Sequence, residues 1–404
     1  MEKMVPREEE FIENESLGLS YRRGALILQH KRSGEKISNF LRFENTGDAG
    51  DSYDYSPLEG DEPLYLEKAE LVATEKGPFT EKMVVKHVAQ APADLSERKE
   101  KVNSCELMVI TTFELRKGEE FLRIRHQIEN RMEDHRLRVL LKTPIADPKT
   151  SFADQGFSLL ERSVDNPYLA NWREQKFAEA PVPIYPLENA AGLYDHRFVF
   201  AAITKGIKEY EVLRETKELA LTLFRSVGVL GKDHLLWRPG RASGINNKVV
   251  YTPDAQMKKR LDFEYAVYMA NENLDPKRIF AQIDRYRGHF TSYQKQNLNT
   301  FEERLERFEI PYPVDRAPDA FSLFEIDHEA IFMSVCKRAY DDSSIVVRLF
   351  NPEPEPQTVT LKSGHVQFVA ETDLAEEEMK KATGSILVGA KGYVTLKLKV
   401  MKGK

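Results

Sequence analysis

The chain has 404 residues, too many for one small core and enough for two or three domains. Hydrophobic residues make up 41% and charged residues 31%, and the net charge is −6, a balance that gives no support for binding nucleic acid or an anionic membrane surface. No apolar run approaches the about 20 residues that span a bilayer, and the two cysteines, Cys105 and Cys336, form no CxxC pair.

The first residues, "MEKMVPREEEFIENE", carry no apolar signal-peptide core, so a reducing cytoplasm is the expected location. "LGLSYRRGALILQHKRSG" (17–34) then alternates around a Gly-containing turn and predicts a β-hairpin. The stretch "GDAGDSYDYSPLEGD" (47–61) follows. It holds five carboxylates (Asp48, Asp51, Asp54, Glu59, Asp61), two tyrosines and no basic residue. From composition it reads first as a solvated connection whose Gly and Asp residues form turns. The rim of a sugar-binding or metal-binding cleft is the alternative.

In "ELMVITTFEL" (106–115) Leu107, Val109, Thr111, Phe113 and Leu115 alternate, "RKGEE" turns the chain, and "FLRIRHQIEN" (121–130) places Leu122, Ile124, His126 and Ile128 on one face. This predicts a second hairpin, with His126 as a hydrogen-bonded core side chain rather than a ligand. His135, near the start of a strand, reads as structural. The nine histidines include no HExxH and no HxH, so the sequence gives no support for a protein-only zinc site. No Walker A or GxSxG pattern appears; "GVLGKD" (228–233) reads as a turn. With 65 Asp and Glu residues, spacing alone cannot select a glycosidase pair.

"ELALTLFRSVGVLG" (218–231) continues the alternation, and "LLWRPGRASGINNKVVYTPDAQ" (235–256) interrupts it. That loop reads first as an Ω-like structural element. Recognition of a polar or anionic ligand by Arg238 and Arg241 is the alternative, since guanidinium forks suit carboxylate or phosphate. Asp275 and Pro276 predict a helix start over 275–294, and "FEERLERF" (301–308) suggests further helical turns. Three prolines in 308–320 mark a boundary. Alternating runs at 344–352, 364–374 and 392–400 then make a small all-β module. The expected architecture is mainly β: a large antiparallel sandwich over 1–310 and a small β-domain over 311–404.

Taken together and in order, several segments resemble glycoside hydrolase family 38 α-mannosidases. "FIENESLGLSY", "GALILQHKRSGEKISNFLRFENTGDAGDSYDYSP", "EDHRLRVLLKTP", "LALTLFRSVGVLGKD" and "TPDAQ" are similar to the start and body of the family's C-terminal β-region. "FSLFEIDHEAIFMSVCKRAYDDSSIVVRLFNP" resembles its terminal β-domain. The "GDSYDYSP" form is most similar to the bacterial branch that includes mannosylglycerate hydrolases. The resemblance implies a galactose mutarotase-like supersandwich. It implies an α-mannoside substrate, a retaining mechanism, and a zinc ion and aspartate nucleophile in an N-terminal α/β catalytic domain absent from this sequence. This chain would then hold no catalytic residue, metal ligand or cofactor. It would support the catalytic domain, help complete the substrate pocket, allow a homodimer, and be inactive alone. Tyr53 matches the family's sugar-contacting tyrosine, and Arg238 and Arg241 are candidates for closing the pocket. Asp48, Asp51 and Asp54 would shape the loop. The loop should lie at one end of the sandwich with Tyr53 partly exposed at its tip. Two other readings stand beside this one. The chain could be a free-standing carbohydrate-binding module, or a mutarotase-like enzyme using His126 or His135 as acid–base groups.

Overall fold

A computed structural model describes residues 8–240, 249–288, 320–341 and 343–401. The chain divides into two compact units, Met1–Ile283 and Asp284–Lys404. The expected helical turns at 301–308 and the proline-marked boundary as far as residue 319 lie outside the described residues.

Two antiparallel sheets form the large unit's sandwich. The wider has nine strands in the order Ser158–Ser163, Thr150–Gln155, Ala190–Tyr194, Val199–Lys205, Arg260–Ala270, Phe121–Glu129, Cys105–Arg116, Thr80–Ala91 and Glu70–Lys76. The narrower has six, in the order Ile184–Pro186, Glu209–Leu213, Glu218–Ser226, His135–Lys142, Leu41–Gly47 and Leu64–Leu66. A four-stranded meander from Glu9 to Ser38 joins the same core through Ile12, Leu17, Leu19 and Leu28.

Period-two alternation accounts for the packing. Leu107, Val109, Thr111, Phe113 and Leu115 turn inward from one strand, and Leu122, Ile124, His126 and Ile128 from its hairpin partner. They meet Phe43, Leu137, Val139, Leu141, Leu219 and Leu221 from the six-stranded sheet in one buried cluster. Fully burying each such Leu, Val or Phe is worth about 1.5–3 kcal/mol. A one-residue slip of any strand would turn its apolar set outward, so the pattern also fixes register. The expected hairpin at 17–34 forms between Leu17–Arg22 and Ala25–His30, with Arg23 and Gly24 both at positive φ in a two-residue turn.

The strand His135–Lys142 is buried on both faces. Its inward side chains are His135 and the apolar Leu137, Val139 and Leu141, and its outward ones include Arg136 and Arg138. Arg138 is matched by Glu44 on the neighbouring strand, 2.7 Å away, and by Glu211. Arg136 has no equivalent partner: its Nη2 lies 4.0 Å from Glu44, and its Nε and Nη1 are buried without a hydrogen bond among the described residues.

The expected helix forms over Pro276–Arg287, the rest of its predicted span from 289 onward lying outside the described residues. Asp275 caps it, its side chain accepting from the Lys277 N–H at 2.9 Å. A short helix at Leu95–Glu100, unanticipated in the sequence, carries a local signature. Asp94 accepts from the N–H groups of Ser96 and Glu97, while Glu97 reaches back to the Ala93 N–H.

The small unit has a core of its own. A five-stranded antiparallel sheet, in the order Phe332–Arg338, Ser344–Asn351, Gly392–Val400, Val366–Thr372 and Glu378–Lys381, buries Val347, Leu349, Leu396 and Leu398. The strand pair Gln357–Val359 and Ile386–Val388 adds Val359, Ile386 and Val388.

Candidate functional site

Three strand ends define one end of the six-stranded sheet: Gly47, His135 and Ser226 lie side by side in the pairing register. The acidic stretch 47–61 leaves from there, at one end of the sandwich. It is not the solvated connection its composition suggests. Asp48 and Asp51 are fully buried. Asp48 Oδ2 accepts from Arg225 Nε at 2.7 Å, and Arg225 also donates to the Asp51 carbonyl at 2.8 Å. Asp51 accepts from the backbone N–H groups of Lys232, Tyr53 and Asp54 at 2.8, 3.0 and 2.9 Å, and from Arg238. Burial alone would raise the Asp51 pKa, but the Lys232 and Asp54 N–H groups and the Arg238 guanidinium together hold it below the usual aspartate value. Asp61 pairs with Arg98, at 3.2 Å, from the short helix.

This wrapping leaves little room at the backbone. A Cβ on Gly50 would sit 2.0 Å from the Asp54 carbonyl oxygen and 2.7 Å from the Ser56 nitrogen, so the loop closes on itself only with glycine there. Tyr53 follows at the outer edge and is 57% exposed.

Arg238 is 9% exposed, with its two terminal nitrogens committed to Asp51 and Asp54 and one also reaching the Lys232 carbonyl. Burial lowers its pKa and the two carboxylates raise it, with a net upward shift. The structural reading of this loop fits these bonds; the alternative, recognition of an anionic ligand by this guanidinium, meets terminal nitrogens already bound to intramolecular carboxylates. Arg241 lies outside the described residues.

Tyr53 and Arg238 are brought together as walls of one cavity of about 240 Å3. Tyr55, Tyr185 and Trp237 add aromatic faces, and Glu179 and Glu209 add carboxylates. The Ala180 N–H donates to the Trp237 carbonyl at 2.7 Å and ties two wall segments together. Behind the cavity, Tyr55 meets Trp237 edge-on at 5.7 Å and covers Arg136, whose guanidinium carbon is 3.6 Å from the ring centroid. A wider cleft of about 550 Å3 lies at the opposite end of the same sheet, around Arg42 and Lys142. It has no aromatic wall, and Arg42 is held by Glu218 and Glu67. Size favours that cleft, but the chemistry of a sugar site favours the smaller cavity: rings to stack on and acceptors for hydroxyls.

The histidines behave as core residues. His126 bonds Thr111 and Tyr265 at 2.9 Å each, and His135 bonds Asn45 at 2.7 Å and Asn130 at 3.0 Å. Burial pushes both pKa values down to about 3, and neither ring is exposed, so neither can reach a sugar. His87, not singled out in the sequence, is also fully buried, with both nitrogens unpartnered among the described residues and a pKa pushed down to about 4. The same alternation that places Met83 and Val85 inward was its available signal. Among the described residues, no group of three or more His, Cys, Asp and Glu side chains could hold a metal ion.

Residues 12–229, more than half of the chain, match the glycosyl hydrolases family 38 C-terminal domain. The chain belongs to glycosyl hydrolase family 38. Residues 330–402 match the family 38 C-terminal beta sandwich domain, so the two matches fall in the two units in the expected order. A putative mannosylglycerate hydrolase from Halalkalibacterium halodurans is 21% identical over 390 residues, covering 92% of this chain and 39% of that protein. An alpha-mannosidase from Enterococcus faecalis V583 shares the fold, with a TM-score of 0.73 at 20% identity, covering 97% of this chain and 42% of that one. A family 38 protein structure from Enterococcus faecalis gives the same TM-score and identity, with 44% of its length covered. The family 38 chain thus spans about two fifths of the length of these relatives.

Proposed function

We propose that this chain is the C-terminal β-portion of a zinc-dependent, retaining α-mannoside hydrolase. It supports an N-terminal α/β catalytic domain and contributes Tyr53, at the rim of the aromatic cavity, to sugar contact. The observation that carries this reading is the lopsided coverage: nearly all of this chain matches family 38 proteins, yet it accounts for only 39–44% of their length. The zinc and the nucleophile belong to the other portion; no step of the chemistry is assigned to residues of this chain. Holding Tyr53 on a braced loop is its contribution to orienting substrate. Two free thiols, Cys105 and Cys336, support a reducing cytoplasm as the location.

An aryl α-mannoside assay tests the proposal. The purified 404-residue chain should be inactive, and activity should appear, and be lost to a chelator, when the chain is combined with a family 38 catalytic portion. Zinc-dependent cleavage by the purified chain alone would overturn the division of labour. The aromatic cavity supports a second reading, a carbohydrate-binding module acting without a catalytic partner. A chain that binds sugar but never restores activity would favour it.

A further inference from the structure

Charge in the Tyr53–Trp237 cavity is distributed unevenly. Arg225 is bound to the buried Asp48 and to the Asp51 carbonyl. Arg238 is bound to Asp51 and Asp54, leaving only its Nε, a single donor, without an acceptor among the described residues. Glu179 and Glu209 also line the cavity, and no cationic side chain pairs with either among the described residues. Four more cations lie nearby but do not line the cavity. Arg162 lies 5.3 Å from the Tyr185 ring centroid and donates to the Tyr210 hydroxyl, and Arg173 donates to the Leu236 carbonyl at 3.0 Å. Arg136 is sealed behind the Tyr55 ring, and Lys232 turns its amine to the Ala49 carbonyl at 3.3 Å. Among the residues that line the cavity itself, the carboxylates Asp54, Glu179 and Glu209 outnumber the cations Arg225 and Arg238.

From this we infer that the cavity selects against anionic sugars: it takes a neutral or amine-bearing pyranoside, stacked on Tyr53, Tyr185 or Trp237, with its hydroxyl or ammonium hydrogens donated to Glu179 and Glu209. The inference rests on the proposed role of the cavity in holding a sugar and specifies the charge class of that sugar. A hydroxyl donates well to an ionised carboxylate, and an ammonium group gains both charge and hydrogen bond. A carboxylate or phosphate on the ligand would meet two carboxylates that no cation pairs with among the described residues, while both terminal nitrogens of Arg238 are engaged and Arg225 is held by Asp48 through Nε and Nη2, leaving it Nη1 alone. Specificity then comes from repulsion of the wrong ligand as much as from attraction of the right one.

Ligand-observed NMR on the 404-residue chain, with sugars at millimolar concentration, tests this with three probes: methyl α-mannoside, mannosamine and mannosylglycerate. The neutral and amine probes should bind at least about tenfold more tightly than mannosylglycerate at low salt, with the gap narrowing as salt is added. Glu179→Gln combined with Glu209→Gln keeps acceptor oxygens but removes the charge. It should shrink the gap to within about threefold, chiefly by raising the affinity for mannosylglycerate and lowering that for mannosamine. Mannosylglycerate binding as tightly as methyl α-mannoside, or a gap unchanged in the double variant, would overturn the charge assignment while leaving the cavity a sugar site. Contact with none of the three probes would overturn both the inference and the cavity's role in sugar contact. The division of labour between this chain and a catalytic portion is decided separately, by the aryl mannoside assay.

Discussion

Lowering the pH from 7 to 5 should strip much of the stability from the large unit, because three of its core histidines are held neutral. His87, His126 and His135 are fully buried, with pKa values pushed down to about 4, 3 and 3, from 6.5, by removal from water. The sign follows from linkage: folded pKa values lie below unfolded ones, so the unfolded chain binds more protons as the pH falls below 6.5. Stability is therefore full above pH 6.5 and is lost as the pH falls toward the folded values. At pH 5 the folded rings remain neutral and the unfolded ones are almost all charged, so each histidine costs about 2 kcal/mol and the three together about 6 kcal/mol. That is a large share of the roughly 5–15 kcal/mol of a typical domain. His135 is the most firmly locked. Its Nε2–H donates to Asn130 Oδ1, and its Nδ1 accepts from Asn45 Nδ2. The Asn45 oxygen is bound by Arg98, so the amide cannot flip to accept from a protonated ring. Urea unfolding between pH 7 and pH 5 measures the effect. Both tryptophans, Trp172 and Trp237, lie in the large unit, so their fluorescence reports its transition. A His87→Leu variant should shallow the pH slope by one proton, since neither of its nitrogens has a partner to lose. A loss below about 2 kcal/mol between pH 7 and 5, the share of one histidine, would refute the reasoning.

The arginine clamps and the exposed tyrosine make three further predictions. Arg238→Ala strands Asp51 as a buried carboxylate without its guanidinium and should cost about 3–5 kcal/mol in chemical denaturation, with Asp51→Asn recovering part of it. Arg136→Met removes two orphaned buried N–H groups, each worth about 1–3 kcal/mol, and gives up a stack on Tyr55 worth about 1–2 kcal/mol; the melting temperature should therefore hold or rise, and a fall equivalent to more than about 2 kcal/mol would count against the orphan reading. Tyr53→Phe, in an enzyme reconstituted with its catalytic portion, should lower kcat/KM by about a few-fold to tenfold, the loss of one hydrogen bond of about 0.5–1.5 kcal/mol, with melting unchanged; unaltered turnover would remove Tyr53 from the site.

The sheets were legible where a strand buries one face and exposes the other in part, as in the hairpin 106–130. Alternation in 106–115 and 121–130 is a local pattern, and the observed register follows it residue for residue through His126. The contacts that complete the site have no local pattern. Arg225 meets Asp48 across 177 positions and Arg238 meets Asp51 across 187, so a window over 47–61 finds only carboxylates and reads a solvated loop. Tyr53 could be proposed from family resemblance, whereas Glu179 and Glu209 could not be selected among 65 acidic residues. The distinction between them and Asp51 is one of pairing, which only the fold reveals.

That pairing also explains why a loop so rich in carboxylates is a poor place for acid–base chemistry and a good place for an aromatic contact. Asp48 and Asp51 are sealed from water, and their oxygens are bound by guanidinium and backbone N–H donors. Oxygens so engaged give their lone pairs to structure rather than to a proton in transit, and Asp51 is held below the usual aspartate range by its N–H and Arg238 donors. The same bonds fix the backbone from which Tyr53 projects: its own N–H is held by Asp51 Oδ1, and the preceding Ser52 N–H by the Val229 carbonyl at 3.0 Å. The ring reaches solvent on a frame whose conformational entropy was lost on folding, so the proposed sugar contact would lose little more. Arg238→Ala should then impair sugar contact as well as folding, through Tyr53. In the reconstituted enzyme at a temperature where the variant stays folded, its loss of kcat/KM should be largely absent in a Tyr53→Ala background, which removes both the ring and its hydroxyl. Fully additive losses would mean that Arg238 and Tyr53 act independently and that the loop is not the frame described.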